Sequence, residues 1–357
     1  MSESKANKYS ILRPIVGVSC LIIFLTTYWF WLDYKAFQKM EITFPINELK
    51  FELKKGWGVG HLAHYLEANK VIESSLYLKA LAKQYPQYSQ LKTGEYFLPE
   101  KIKPLELLKL FTEGSVVQYS FQIIEGQNKW EILDQLLNKQ KHLKFDLTRD
   151  NKKSFENEAI KKLGNKTDPI ESGSIEGWLF PETYNYSKGD TAFSLIERSV
   201  KEMQKALREE WENREQGLPL NTPYEALVLA SIIEKETGVS SERERISGVF
   251  IRRLQLKMRL QTDPTVIYGI GEHFNGDITW KDLKTPTPYN TRIIKGLPPT
   301  PIASPSRASI YAALHPAKEE VLYFVADGTG GHHFSKTLDE HNRAVKRWLK
   351  LNKVNKK

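Results

Sequence analysis

The sequence predicts an α+β fold: a membrane anchor, then a small α/β region, then a larger, mainly helical region with a small sheet. Three observations predict it. Residues 15–32, IVGVSCLIIFLTTYWFWL, carry no charge over 18 positions. Apolar residues then recur at helical spacing in bounded segments near 191–215, 223–238, 241–258 and 338–351. Strand-like stretches are short and scattered, at 42–53, 118–124 and 321–326, so any sheet should be small.

The anchor comes first. With residues 11–14 added and Arg13 snorkelling, the charge-free run reaches the roughly 20 residues that cross a bilayer. Tyr28, Trp29, Phe30 and Trp31, with Tyr34 beyond, suit a membrane–water interface. The bulky residues at the exit offer no small-residue cleavage point, so an uncleaved signal anchor is expected. Lys5, Lys8 and Arg13 precede the run and Lys35 and Lys39 follow it, a slight bias towards an inside N-terminus. The expected order is a cytoplasmic tail over 1–14, a span over 15–32 and a connector over 33–43. The sole cysteine, Cys20, falls in the span, so the remainder has no disulfides.

The composition excludes other classes. The 357 residues suffice for two domains, and 40% hydrophobic with 27% charged residues is ordinary for a globular protein. The net charge of +9 is spread out, with clusters only at Lys152-Lys153, Lys161-Lys162 and the 353–357 tail. No stripe of arginines interleaved with aromatics marks a groove, so no nucleic-acid partner is expected.

Residues 44–148 contain a faint internal repeat. Gly56 and Gly126 each follow a strand-like stretch and stand 6 and 10 residues before apolar helix positions, Leu62 and Leu66 in the first case, Ile132 and Leu136 in the second. Two accounts stay open: two ordinary strand–turn–helix units, or a pair of LysM-like elements of the kind that grip glycan chains. The segment between them carries turn signals at Gly94, Pro99 and Pro104 and a helix over 104–112.

The larger region, 149–352, begins with a polar, Lys-rich stretch over 149–170, expected to be a solvated helix or insertion. Residues 174–186, SIEGWLFPETYNY, set Trp178, Phe180, Tyr184 and Tyr186 around Glu176 and Glu182. That mixture suits a sugar site, with rings for pyranose faces and polar groups for hydroxyls; a structural loop anchored by its aromatics is the alternative. Glu176 is the candidate binding residue there.

Glu234 is the most informative residue. It closes an almost wholly apolar helix with Thr222 as N-cap, Pro223 at the first helical position, Glu225 completing a capping box and Gly238 ending it. Such a helix lies inside a core. On it, Glu234 shares the face of Ala230 and Leu227, while Glu236 points ~200° away, where it can reach solvent or a salt bridge. Desolvation and the negative end of the helix dipole both favour a protonated carboxyl at Glu234, as a general acid requires.

The loops that follow are stiffened by proline and rich in hydrogen-bonding side chains, at 259–265, 285–291 and 296–303. Gln261, Thr262, Asp263, Tyr289 and Asn290 are the candidates there for holding a substrate. Asp263 could be a second carboxylate, or only begin a turn before Pro264. His332, His333 and His341 lack metal-ligand spacing, so neither a metal nor another cofactor is expected.

Taken in order, SIEGWLFPETY, LASIIEKET, VFIRRLQLKMRLQTDPTVIYG, TPYNT, GLPPTPIASP and YFVADGTGGHHF closely resemble the YceG-like endolytic murein transglycosylases, over residues 40–350. The resemblance implies a cell-wall enzyme held in the bacterial inner membrane with its catalytic region in the periplasm. It implies cleavage of nascent peptidoglycan strands between N-acetylmuramic acid and N-acetylglucosamine, leaving a 1,6-anhydro end. The family's catalytic acid maps onto Glu234, its small N-terminal domain is LysM-like, and cell-wall synthases are implied partners.

Overall fold

The structure is a computed structural model that describes residues 6–44, 50–140, 142–164, 166–168, 170 and 173–355. It is a mixed helix-and-sheet protein divided into two compact units, residues 1–118 and 119–357. The boundary falls 30 residues before the break at 148/149 that the sequence suggests. The reason is packing: Phe121, Ile132, Leu133, Leu136 and Leu147 join the core of the second unit.

The first unit opens with α1, Ala6–Lys39. Its segment Val16–Lys39, which holds an 18-residue window with a mean hydropathy of 1.5, is long and apolar enough to cross a membrane by length and composition. The helix runs unbroken to Lys39, so most of the expected connector is helical, and Phe37 already lies in the core of the unit. There follow β1 (Ile42–Thr43), β2 (Lys50–Leu53), α2 (Val59–Ala68), α3 (Ser75–Gln84), β3 (Gly94–Phe97), β4 (Lys101–Ile102) and α4 (Pro104–Glu113). β2 pairs antiparallel with β3, Lys50 opposite Phe97 and Leu53 opposite Gly94, and β1 pairs antiparallel with β4. Leu53, Leu62, Leu66, Leu78, Leu81, Tyr96 and Phe111 fill the core between the helices and the paired strands β2 and β3. The Tyr96 hydroxyl donates to the carbonyls of Lys92 and Phe111, so the buried ring leaves no polar atom unpaired.

The second unit contains β5 (Gln118–Gln122), α5 (Lys129–Lys139), α6 (Lys152–Leu163), β6 (Thr183–Ser187), α7 (Ala192–Glu212), α8 (Pro223–Glu236), α9 (Arg243–Gln255), α10 (Asp263–Ile270), α11 (Trp280–Lys284), α12 (Arg307–Leu314), β7 (Tyr323–Ala326), β8 (His332–Ser335) and α13 (Leu338–Asn355). β5 neighbours β6, and β7 pairs antiparallel with β8. The repeat seen in the sequence is structural. β2, Gly56, α2, α3 and β3 recur as β5, Gly126, α5, α6 and β6, and both glycines take positive φ, 85° and 76°, where a side chain would be strained.

α8 is the centre of the second unit. Every residue from Ala226 to Ile233 is buried, and α7, α9, α10 and α12 pack around it. Each of its fully buried Leu and Ile side chains contributes roughly 1.5–3 kcal/mol. Thr222 Oγ1 accepts from Glu225 N as expected, but the Glu225 carboxylate accepts from the backbone of Asn221, one residue before the N-cap.

One segment differs from expectation, and another decides between two open accounts. The Lys-rich stretch is not a solvated insertion: α6 buries Phe155, Ala159 and Leu163 completely and keeps its lysines on the outer face. Of the aromatics at 178–186, Trp178, Tyr184 and Tyr186 are core residues; Trp178 stacks on Tyr224, and Tyr184 donates to its own loop at Phe180 O. The structural loop is the account that holds.

That loop is locked at Gly177, where φ is +77° and an added Cβ would sit 2.4 Å from Cβ of Pro301. Gly177→Ala should therefore destabilise the protein by about 2–4 kcal/mol, combining backbone strain with overpacking. A denaturant titration checks this; a midpoint equal to wild type would refute the close approach.

Candidate active site

The last turn of α8 carries Glu234, whose side chain is 6% exposed. The chain over 301–306 crosses this turn and is tied to it twice. Ile302 N donates to Ser231 Oγ at 3.0 Å, and Ser306 donates to Glu234 Oε2 from both its backbone N, at 2.8 Å, and its hydroxyl. Ser306 is also the N-cap of α12, with its Oγ accepting from Ser309 N. One serine thus starts a helix and grips the acid. The other carboxylate oxygen, Oε1, lies 3.7 Å from Arg243 Nη2, at the start of α9. Together these donors and the guanidinium charge offset the desolvation of the carboxylate.

The glycine turn of the second repeat lies against the same acid. Gly126 N donates to Ser304 O, Ser304 N donates to Gln127 O, and Lys235 Nζ donates to Gly126 O. An added Cβ at Gly126 would lie 3.9 Å from Cγ of Glu234. Glu234 opens on a cleft of about 570 Å³ that it lines with Glu125, Glu182, Thr183, Thr237 and Arg243. A larger cleft, about 770 Å³, begins at the next residue, Lys235, and is lined by Gln127, Trp130, Asp134, Tyr268 and Glu272 among others.

Aromatic rings line the larger cleft. Trp130, in the first turn of α5, stacks on Tyr268 of α10 with centroids 4.9 Å apart, and Tyr268 meets Tyr289 at 4.8 Å. Tyr289 is fixed in turn by a hydrogen bond between its hydroxyl and Thr300 Oγ1 at 2.9 Å. The sequence reading missed Trp130; its signal was an aromatic in the first turn after a glycine-marked strand end.

Beneath this row is an ionic cluster. Glu176 is fully buried and accepts from Lys129 N at 3.1 Å and Tyr268 Oη at 2.9 Å. Glu156 accepts from Lys129 Nζ, Ser174 Oγ and Ile175 N. Glu176 is therefore not exposed to a ligand: it holds Tyr268 and the start of α5 in place. Burial pushes its carboxyl up to about 7 despite those donors.

The other sequence candidates divide in the same way. Glu236 turns away from Glu234 and is half-buried. It accepts from the Thr262 hydroxyl, and desolvation raises its carboxyl above the usual range. Thr262 is itself buried and bonded through its N to Thr291 Oγ1, so it fastens a loop and faces no cleft. Asn290 is fully buried and donates to the carbonyls of Asp282, Leu283 and Thr285, a clamp on the 282–290 turn. Asp263 heads α10 and is held by Arg292 Nε at 2.7 Å. Gln261 is exposed at a left-handed position, φ 54°, with its N donating to Thr291 O. Of the six binding candidates, Tyr289 places its own ring in the aromatic row, and Glu176 reaches that row through Tyr268. His332 and His333 lie on β8, and His332 pairs with Glu242 at 2.7 Å. Among the described residues no three His, Cys, Asp or Glu side chains are grouped to hold a metal ion.

Comparison with known proteins gives the chain its family. Residues 51–347 match the YceG-like family, and the chain belongs to it. It is 33% identical over 311 residues to the endolytic murein transglycosylase of Bacillus subtilis (strain 168), covering 84% of this chain and 85% of that one. It is 29% identical over 317 residues to the protein of that name from Streptococcus pneumoniae serotype 2, and there the match takes in 82% of this chain but only 57% of the relative. A crystal structure at 2.6 Å of a YceG-like protein from Listeria monocytogenes superposes with a TM-score of 0.54 at 32% identity, over 85% of this chain and 99% of that one.

The buried acid gives a pH test. A carboxyl raised from 4.5 to about 7 keeps its proton in the folded state where the unfolded chain has lost it. Stability from Glu176 is therefore full below pH ~4.5 and is lost as pH rises to ~7, with Glu236, whose carboxyl is also raised, adding in the same direction. Glu176→Gln should flatten the fall in unfolding free energy over that window by up to about 3 kcal/mol. Chemical denaturation at several pH values measures it; an unchanged slope would contradict the assignment.

Proposed function

We propose that this chain is a membrane-anchored endolytic murein transglycosylase that cleaves peptidoglycan strands with Glu234 as its single general acid and base. One observation carries the reading: an acid in the last turn of a buried helix is gripped through one oxygen by Ser306, while its side chain opens on a cleft. The family membership and the names of the relatives support the substrate class.

In the proposed reaction, Glu234 gives its proton to the glycosidic oxygen as the bond from that oxygen to the anomeric carbon of N-acetylmuramic acid breaks. The resulting carboxylate then takes the proton of the same sugar's C6 hydroxyl, whose oxygen closes on the anomeric carbon. The products are a 1,6-anhydromuramyl end and a free 4-hydroxyl, with no water consumed. An intramolecular nucleophile of this kind needs no second carboxylate and reaches very high effective molarity. With Oε2 occupied by Ser306, Oε1 is the oxygen left to face the substrate, 3.7 Å from Arg243 Nη2.

A hydrolytic muramidase is the competing chemistry, because Glu125 and Glu182 line the same cleft as Glu234 and hydrolysis uses a pair of carboxylates. We further read Trp130, Tyr268 and Tyr289 as the platform on which a glycan strand lies. The first unit, whose strand–helix–helix–strand order recurs beside Glu234, we read as a LysM-like glycan grip. We place α1 across the inner membrane with the N-terminus in the cytoplasm.

Two experiments test the reading. Digestion of purified glycan strands followed by mass spectrometry should give anhydro ends, and Glu234→Gln should lower turnover by 10²–10⁴-fold. Products heavier by one water, with reducing ends, would instead assign the hydrolase. Trp130→Ala should raise KM for glycan about three- to tenfold with a smaller change in kcat, since a stacked ring contributes roughly 0.5–1.5 kcal/mol of binding. An unchanged KM would remove the platform.

A further inference from the structure

Within the first unit, α1 continues beyond its apolar run and packs along α3. Tyr77 makes most of that contact. Its ring meets Phe30, Phe37 and Tyr34 with centroids 5.2, 5.6 and 6.1 Å away, and its hydroxyl donates to the Asp33 carboxylate. Phe30, Tyr34 and Phe37 stand at i, i+4 and i+7, one face of the helix. Seven residues after Tyr77, Gln84 accepts from Tyr34 Oη at 2.7 Å and from Gln38 Nε2 at 2.9 Å. Of these contacts, those to Phe30 and Asp33 come from Tyr77 and that to Gln38 from Gln84, so the head of α3 reaches nearer the apolar run than its end does.

This fixes the level of α3. Phe30 belongs to the charge-free run, among the exposed Tyr28, Trp29 and Trp31, which are the residues suited to a membrane–water interface. Tyr77, packed on Phe30 and bonded to the first acid after the run, lies at the same level. Leu76, its neighbour on the outer side, is 60% exposed at the head of α3. Lys70 and Glu73 are both exposed in the turn before α3.

We propose that the first turn of α3 is seated in the lipid headgroup region with Leu76 inserted into the bilayer interface, so that the first unit rides on the membrane surface through two helices rather than hanging from a tether. The occupant of this edge is lipid, because α3 is packed against the very segment of α1 that leaves the apolar run. The inference rests on α1 spanning the bilayer.

Three singly labelled, full-length proteins in phosphatidylcholine liposomes test it. An environment-sensitive fluorophore is placed on the native Cys20, or, in a Cys20→Ser background, on Leu76→Cys or Lys83→Cys, and lipids with brominated acyl chains serve as quenchers. Position 83 is the right comparison: it is exposed, shares a helix face with position 76, and lies ~10 Å further along α3. Quenching should be strong at position 20 and at least twofold greater at position 76 than at position 83, with melting temperatures equal to wild type confirming the fold. Equal, weak quenching at 76 and 83 with strong quenching at 20 overturns the seating while leaving the anchor intact. No quenching at position 20 overturns the anchor and the seating together.

Discussion

The grip of Ser306 on Glu234 is the interaction around which the second unit is arranged. A carboxylate buried to 6% exposure at the C-terminal end of a helix is unfavourable on its own, since it is both desolvated and set against the helix dipole. Two donors from one serine and a guanidinium at 3.7 Å make it tolerable. Each of those partners is fixed by something else: Ser306 by capping α12, Arg243 by opening α9, and the strand of chain carrying Ser306 by its bonds to Ser231 and to the Gly126 turn. The acid is held by backbone and helix ends, not by mobile side chains alone.

The same economy holds under the larger cleft. Tyr268 serves as a ring for Trp130 and Tyr289 and as a donor to Glu176, which in turn accepts from the start of α5 just before Trp130. A buried carboxyl that is costly to ionise thus sets the spacing of an aromatic row. Arg292, Thr262, Thr291 and Asn290 do comparable work for the proline-rich loops, and their polar atoms are spent on backbone and on each other. Residue types that look suited to sugar hydroxyls are here consumed in holding loops closed.

This explains what could be foreseen. The long N-terminal apolar helix, α7, α8, α9 and α13 are legible because periodicity and caps are local properties, and the place of Glu234 in the last turn of a buried helix follows from the apolar run before it. The roles of Glu176, Thr262 and Asn290 are not legible, because whether a polar side chain faces a cleft or a buried carbonyl depends on partners up to 92 residues away in sequence, as for Tyr268 and Glu176. Ser306 and Trp130 escaped for the same reason: one reads as an ordinary N-cap, the other as an ordinary helix aromatic. The Lys-rich stretch misled because its apolar face, Phe155, Ala159 and Leu163, is narrow and outnumbered by lysines, though it is wholly buried.

Whether Ser306 acts through Glu234 is measured most directly by a double-mutant cycle on glycan cleavage. Ser306→Ala should lower kcat by roughly ten- to a hundredfold with KM little changed in the wild-type background, the range of one lost charge-assisted hydrogen bond, and should cost almost nothing further in the Glu234→Gln protein. Equal losses in both backgrounds would mean that the serine supports the fold without orienting the acid, and the central claim would fail.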